Sequence, residues 1–333
     1  MQAMLLNEIG PIDRSPLRLV ERPLPEPGSG ELRLKVRCCA ICRTDLHVIE
    51  GDLPRHTLPI IPGHQIVGTV DALGPACRRF RIGQRVGVAW LRHTCGECAF
   101  CRAGRENLCE QSRFTGYHAD GGYAEYAVVP EDFAYEIPAA FDDHAAAPLL
   151  CAGIIGYRAL RRCNLPPGGK LALYGFGSSA HVVLQIARHR GCQVYVVSRA
   201  ERHLELARDL GATWAGVSAA DLPVRVDSAI LFAPAGTLVP VALEKLQKGG
   251  TLALAGIHMT PVPSLDYERH LFYERDVHSV TANTRADGRE LLAEAAQVPV
   301  RPHVTEYPLA DANRALQDLK ADRLNGTGVL VIA

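Results

Sequence analysis

Between residues 170 and 180 the chain runs from a short apolar stretch, Lys-Leu-Ala-Leu-Tyr, through Gly175-Phe-Gly177-Ser178-Ser179-Ala180 and into a segment of helical period. Few short stretches limit a fold so much. The first glycine allows a tight turn, the second lets the backbone approach a pyrophosphate, and Ala180 is small enough for close helix–strand packing. The amides that open the helix then face the negative charge. The rhythm of strand and helix continues through QVYVV (193–197), a helix over AERHLELARDLG, SAILFA (228–233), a helix through LVPVALEKLQK, TLALAG (251–256) and HSVTA (278–282). Such alternation implies an α/β unit with a doubly wound parallel sheet whose glycine turn holds a dinucleotide.

The residues just after the second strand choose between dinucleotides. An Asp or Glu there would bind a ribose 2′-hydroxyl, whereas Ser198 and Arg199 leave room and positive charge for a 2′-phosphate. NADP is therefore favoured, with NAD the alternative if Arg199 is merely solvated.

The first half follows another pattern. In ELRLKVR, Leu32, Leu34 and Val36 share one strand face, and strand signals recur at IVGTVDAL, QRVGVAW, YAEYAVV and DFAYEIP between Gly, Pro and Asp. This spacing predicts an antiparallel, barrel-like β region. Near residue 145 the period becomes helical in AAAPLLCAGIIGYRALRR, which Pro166-Pro167-Gly168-Gly169 breaks. The tail reads as a helix (RELLAEAAQ), a strand-like RPHVTEYPL, a second helix (ADANRALQDLKAD) and a strand (TGVLVIA). At 333 residues, two domains are expected.

Two groups of side chains carry metal chemistry. Cys95, Cys98, Cys101 and Cys109 stand as C-x2-C-x2-C-x7-C, with Gly96 and Gly104 allowing tight turns. Four thiolates can close a tetrahedron around one structural zinc; an iron–sulfur cluster is the rival. The second group lies in CCAICRTDLHVIEGDLPRHTLPIIPGHQIVG, where Cys42 and His64 offer a thiolate and an imidazole from separate loops. That pair suits zinc with an open position, and equally a buried cysteine with a core histidine. Thr44, Asp45 and His47 add a hydroxyl, a carboxylate and a second imidazole.

Lys+Arg and Asp+Glu both number 36, so no net field draws nucleic acid or an anionic membrane. The eleven clustered cysteines favour metal ligation over a disulfide framework. With no long apolar run and no signal-like N-terminus, the expected location is the cytoplasm.

Taken together, CRTDLH (42–47), PGH (62–64), the four-cysteine lobe, LLCAG (149–153), GFGSSA (175–180) and KGG (248–250) resemble the zinc-dependent alcohol dehydrogenases of the medium-chain dehydrogenase/reductase superfamily over essentially the whole chain. The resemblance implies a GroES-like catalytic domain, residues 1–150 and 285–333 with a structural-zinc lobe at 93–112, and a Rossmann domain at 151–284. It implies two zinc ions per chain, with Cys42, His64 and Cys151 holding the catalytic one. Left alone, Cys151 reads as a core cysteine on a helix. Thr44 becomes the hydroxyl beside the substrate oxygen, His47 the outer end of a proton relay, Asp45 the carboxylate that orients His64, and Arg43 a pyrophosphate contact. Trp90, Leu91 and His56 fall where such enzymes line the substrate pocket. Gln65 stands where the family commonly has Glu, and Ile155 where many relatives have Thr. The implied partners are a small alcohol or aldehyde and further copies of the chain, as a homodimer or homotetramer.

Three other readings remain open from the residues. They are a zinc-free quinone or enone reductase on the same fold, a zinc-ribbon nucleic-acid-binding module, and a non-catalytic NADP sensor.

Overall fold

Leu32, Leu34 and Val36, the alternating apolar positions, are fully buried and mark the central strand of one of two compact units. The computed structural model describes residues 1–54, 57–298 and 300–332. The first unit comprises Met1–Cys151, Ala282–Ala296 and Pro302–Ala333; the second comprises Ala152–Thr281 and Gln297–Arg301.

In chain order the first unit opens with β1 (Gln2–Leu6) and β2 (Leu17–Glu21), an antiparallel ribbon that carries no clear signal in the sequence. There follow β3 (Glu31–Ala40), α1 (Arg43–Glu50), β4 (Gln65–Leu73), β5 (Arg85–Val88), β6 (Leu91–His93), α2 (Ala99–Arg102), β7 (Arg113–Phe114), β8 (Tyr126–Pro130), β9 (Ala134–Glu136) and α3 (Asp143–Pro148). The second unit holds α4 (Ile154–Arg162), β10 (Lys170–Tyr174), α5 (Ser178–His189), β11 (Gln193–Val197), α6 (Glu201–Asp209), β12 (Trp214–Gly216), β13 (Val226–Leu231), α7 (Leu238–Glu244), β14 (Leu246–Leu254), α8 (Tyr267–His270) and β15 (Asp276–Ser279). The chain then continues through α9 (Arg285–Gln297), β16 (Val304–Pro308), α10 (Ala312–Lys320) and β17 (Thr327–Val331).

The larger sheet of the first unit runs β16-β17-β3-β4-β5-β9, with β8 also on β3. It is antiparallel as expected, except that β16 and β17 are parallel. The exception has a cause: α10 lies between them in sequence, and a helical crossover returns a strand parallel to its predecessor. One register decides the site. Ala40 pairs with Gln65 where β3 ends and β4 begins, so the residues just beyond both ends, Cys42 and His64, emerge together. Cys42, read as a loop residue, instead caps α1.

The second unit's sheet is parallel, in the order β12-β11-β10-β13-β14-β15. Numbered from β10, that is 3-2-1-4-5-6, the arrangement in which ligands bind at the carboxyl end where strand order reverses. Several boundaries differ from the sequence reading, and two of them show why. The helix expected to run through Lys248 ends at Glu244, because fully buried Leu246 already pairs with Val226 in the sheet. The last strand is Asp276–Ser279 rather than 278–282, since its register on β14 ends at Leu254↔Ser279. No helix among the described residues is long and apolar enough to cross a membrane.

Candidate functional site

The end of β3 delivers Cys42 in an extended conformation as the N-cap of α1. Its Sγ accepts from the Thr44 amide at 3.3 Å, and its own amide donates to Asp45 Oδ2 at 2.8 Å. A capping box with sulfur in the hydroxyl's place thus fixes both the thiol and the carboxylate. His64 follows Gly63 (φ 94), where a Cβ would fall 2.3 Å from the Tyr123 ring. Only glycine fits that turn.

His64 is fully buried between partners. Its Nδ1 lies 3.1 Å from Asp45 Oδ1 and its Nε2 3.4 Å from Cys42 Sγ, while the Trp90 indole meets the ring edge-on at 4.9 Å. Cys151 reaches the same place from a π-helical turn, Leu149–Gly153, that follows Pro148 at the end of α3. Proline has no amide to continue the helical ladder, and π turns recur at functional sites. The ligand atoms of Cys42, His64 and Cys151 all lie within 4.8 Å of one another.

The electrostatics fit a cation there. The Cys151 thiol, hydrogen-bonded to Cys42, together with His64, holds Cys42 well below the ordinary thiol range despite burial. Cys151, paired with that sulfur and buried, is pushed well up. Burial alone would lower His64, but Asp45 and Cys42 raise it to about 10. Two sulfurs and one nitrogen this close match zinc's preferred donors. Neither amide atom of the fully buried Gln65 has a hydrogen-bond partner among the described residues.

Other residues singled out in the sequence lie around this point. Thr44 is buried on α1, Arg43 is exposed, and His47 points Nδ1 at Asp52 Oδ2, 2.8 Å away. Trp90 stacks on Phe114 at 4.9 Å and packs with Val48 and Tyr117, whose hydroxyl donates to the Pro54 carbonyl at 2.6 Å. Leu91 is fully buried, and His56 lies outside the described residues. Phe114, Tyr117 and Asp52 escaped sequence reasoning. Only Asp52 left a trace there, as the residue after the glycine that closes α1.

The sulfurs of Cys95, Cys98, Cys101 and Cys109 form a second group within 4.8 Å. Amides of Cys98, Cys101 and Cys95 donate to the sulfurs of Cys95, Cys98 and Cys109 at 3.3, 3.5 and 3.4 Å. Amide hydrogen bonds from Cys98 and Glu97 pull Cys95 down to about 7, and burial with Cys98 lifts Cys101 to about 11.

In the second unit, Gly175 adopts φ 92, and a Cβ there would meet the Ala233 amide nitrogen at 2.9 Å. A Cβ at Gly177 would meet nothing within 4 Å, so packing within the chain does not require that glycine. The open space above it, at the start of α5, is what a close-lying pyrophosphate needs. Ser178 and Ser179 form the first turn of α5, and Ala180 is fully buried. Ser198 is buried with its Oγ 3.2 Å from His203 Nδ1, a partner the sequence did not indicate, while Arg199 is exposed. Ile155 is half-buried on α4.

A mixed β unit carrying a sulfur–imidazole cluster, and a doubly wound unit with a glycine turn, make up the two-unit architecture of the medium-chain dehydrogenase/reductases. The family models agree: residues 28–139 match the alcohol dehydrogenase GroES-like domain and residues 180–297 the zinc-binding dehydrogenase domain. The chain is 52% identical to a probable alcohol dehydrogenase, AdhA, of Mycobacterium tuberculosis, covering 100% of this chain and 97% of that protein. It is 35% identical to an alcohol dehydrogenase of Geobacillus stearothermophilus, over 99% of this chain and 98% of that one. The cobalt- and zinc-bound thermostable alcohol dehydrogenase of Pyrobaculum aerophilum superposes with a TM-score of 0.90 at 27% identity, covering 99% of each chain. The chain belongs to the zinc-type alcohol dehydrogenase family of the medium-chain dehydrogenase/reductases.

Proposed function

We propose that this protein interconverts small alcohols with aldehydes or ketones, using NADP(H) in preference to NAD(H), in the cytoplasm and as a homodimer or homotetramer. The observation that carries the reading is the convergence of Cys42, His64 and Cys151 from three separate segments, with Asp45 behind the imidazole. Those three would hold one zinc, and Cys95, Cys98, Cys101 and Cys109 a second, structural one. Four sulfurs so close suit a single ion better than a cluster whose ligands sit on different irons.

A bound catalytic ion would supply Lewis acidity toward the substrate oxygen, and a bound nicotinamide would supply hydride chemistry. The chain does the rest. Asp45 accepts from Nδ1 of His64, which fixes the ring and leaves Nε2 as the donor atom. The Thr44 hydroxyl would take the proton that leaves the alcohol, and His47, on the same helix, would take up the proton at the outer end of the relay. In the second unit, the first-turn amides at Ser178 and Ser179 would hold the pyrophosphate on the turn of Gly175, Gly177 and Ala180; in the first unit, Arg43 is proposed as a phosphate contact. Ser198 and Arg199 receive the 2′-phosphate.

For assembly, we propose pairing through the edge strand β15, where Val277 is exposed beside exposed Phe272 and Tyr273. Sedimentation of wild type and Val277→Lys checks this: a monomeric wild type would remove the oligomer from the reading.

The central test is Cys151→Ser. Zinc content should fall from about two to about one per chain, and alcohol-dependent change in nicotinamide absorbance should cease while dinucleotide binding persists. Full turnover in the variant, or in wild type with one zinc or none, would point instead to a zinc-free enone reductase.

A further inference from the structure

Helix α1 ends in a way that turns a carboxylate back onto His47. Gly51 takes the left-handed conformation at φ 82, and the amides of Gly51 and Asp52 both donate to the His47 carbonyl, at 3.1 and 3.0 Å. A Cβ at Gly51 would lie 2.6 Å from Ile9 Cγ2, so space as well as φ requires glycine here. Leaving this cap, the chain places Asp52 Oδ2 at 2.8 Å from His47 Nδ1. The imidazole is largely enclosed, at 17% exposure, and the carboxylate stands at the water, at 52%.

Two other charged groups of this helix can be followed among the described residues. Arg43, one turn earlier, is exposed. Glu50, near the helix end, accepts from the Ile12 amide and from Lys320 of α10, and Lys320 also binds Asp13 of the turn at 12–14. Asp52 is the carboxylate that the backbone itself delivers to the ring.

We propose that Asp52 is a positioning residue for proton transfer. By accepting Nδ1–H of His47 it fixes the ring's tautomer and angle, and makes Nε2 the atom that takes up the proton released in alcohol oxidation. The step balances as a proton exchange: Nε2 gains one proton, Nδ1 releases one to water along the half-exposed carboxylate, exchange with water then moves the remaining ring proton back from Nε2 to Nδ1, and no electrons move. Reduction of an aldehyde runs the same exchange backwards. The inference rests on the relay role given to His47 above.

The test is a double-mutant cycle of Asp52→Ala and His47→Gln, read by single-turnover oxidation of the best substrate in a panel from ethanol to benzyl alcohol. Long-range proton–nitrogen NMR of the His47 ring accompanies it. For an exposed pair, Asp52→Ala should slow the proton step about two- to five-fold, Asp52→Glu should restore part of the rate, and Asp52→Ala should have no further effect in the His47→Gln background. The Nδ1–H tautomer should dominate in wild type and give way to a mixture in Asp52→Ala. Additive losses in the cycle, or an unchanged tautomer ratio, would overturn the proposal. If His47→Gln alone leaves the rate intact, the relay itself fails and Asp52 with it; a slow His47→Gln beside a wild-type-like Asp52→Ala removes Asp52 only.

Discussion

Ser198 shows what a single side chain can decide and how far its neighbours hide from a linear reading. Its buried hydroxyl lies against His203 Nδ1 at 3.2 Å, at the end of the strand that follows the glycine turn. An aspartate in its place would bring a negative charge to the spot proposed for the 2′-phosphate. Two like charges about 4 Å apart repel by roughly 1–4 kcal/mol between water and a protein surface. Ser198→Asp should therefore lower the NADP-to-NAD ratio of kcat/KM by about ten-fold or more, measured with one alcohol and both cofactors; an unchanged ratio would place the selectivity elsewhere. The position of Ser198 was legible, because strand ends and glycine turns leave local marks. Its contact with His203 was not, since it depends on α6 starting at Glu201 and carrying that ring back over the strand end. The same limit applies at the sulfur–imidazole cluster. Cys42 and His64 stood out by residue type, but they could equally have been core residues until the Ala40↔Gln65 register put them side by side. Cys151 had no local signal, and only likeness to a family singled it out.

Among the elements, the four-cysteine lobe was the easiest to read and its attachment the hardest. All four sulfurs fall within fifteen residues, so spacing alone brings them together. The lobe is tied down by Glu106, which accepts from the Arg285 amide at 2.7 Å and from its guanidinium at 2.7–3.1 Å, a contact 179 residues apart in sequence. Arg285 also lies over the Phe133 ring at 4.7 Å. Burial works against the Glu106 charge, but the hydrogen bonds from Arg285 outweigh it and hold the carboxyl below its usual range. A depressed native pKa means stability that is complete above the unfolded value of about 4.3 and lost as pH falls through the native one. Glu106→Gln should thus cost about 1–2 kcal/mol at pH 7 in urea unfolding, with the gap to wild type closing in acid. A gap that persists below the native titration would mean the pair contributes through packing and not charge. The boundary between α7 and β14 was misread for a related reason. Leu246 continues the apolar helical period, yet its burial belongs to the sheet through its pairing with Val226.

For the whole chain, the change from a two-residue to a helical period near residue 145 made two architectures legible, but no local pattern says which sheet a distant strand joins. The final strand β17 reads simply as apolar and β-branched, and its place beside β3, with Val329 opposite Ala40, follows from the closed core of the first unit. The same contrast between near and far separates the two proposed metals. The lobe's ligands lie close together in sequence, so a metal there stabilises a local fold directly; Cys42, His64 and Cys151 come from three segments already ordered by a buried core. Stepwise chelation should therefore split activity from stability. Loss of the first zinc per chain, from the three-ligand site with its open position, should end turnover with little change in Tm. Loss of the second should release Glu106 from Arg285 and lower Tm by about 5 °C or more, because 1 kcal/mol shifts a unit of this size by roughly 2–4 °C. Zinc analysis alongside calorimetry and turnover follows both steps. Activity that survives until the second ion leaves would reverse the assignment, giving the chemistry to the lobe and the structural role to the cluster at His64.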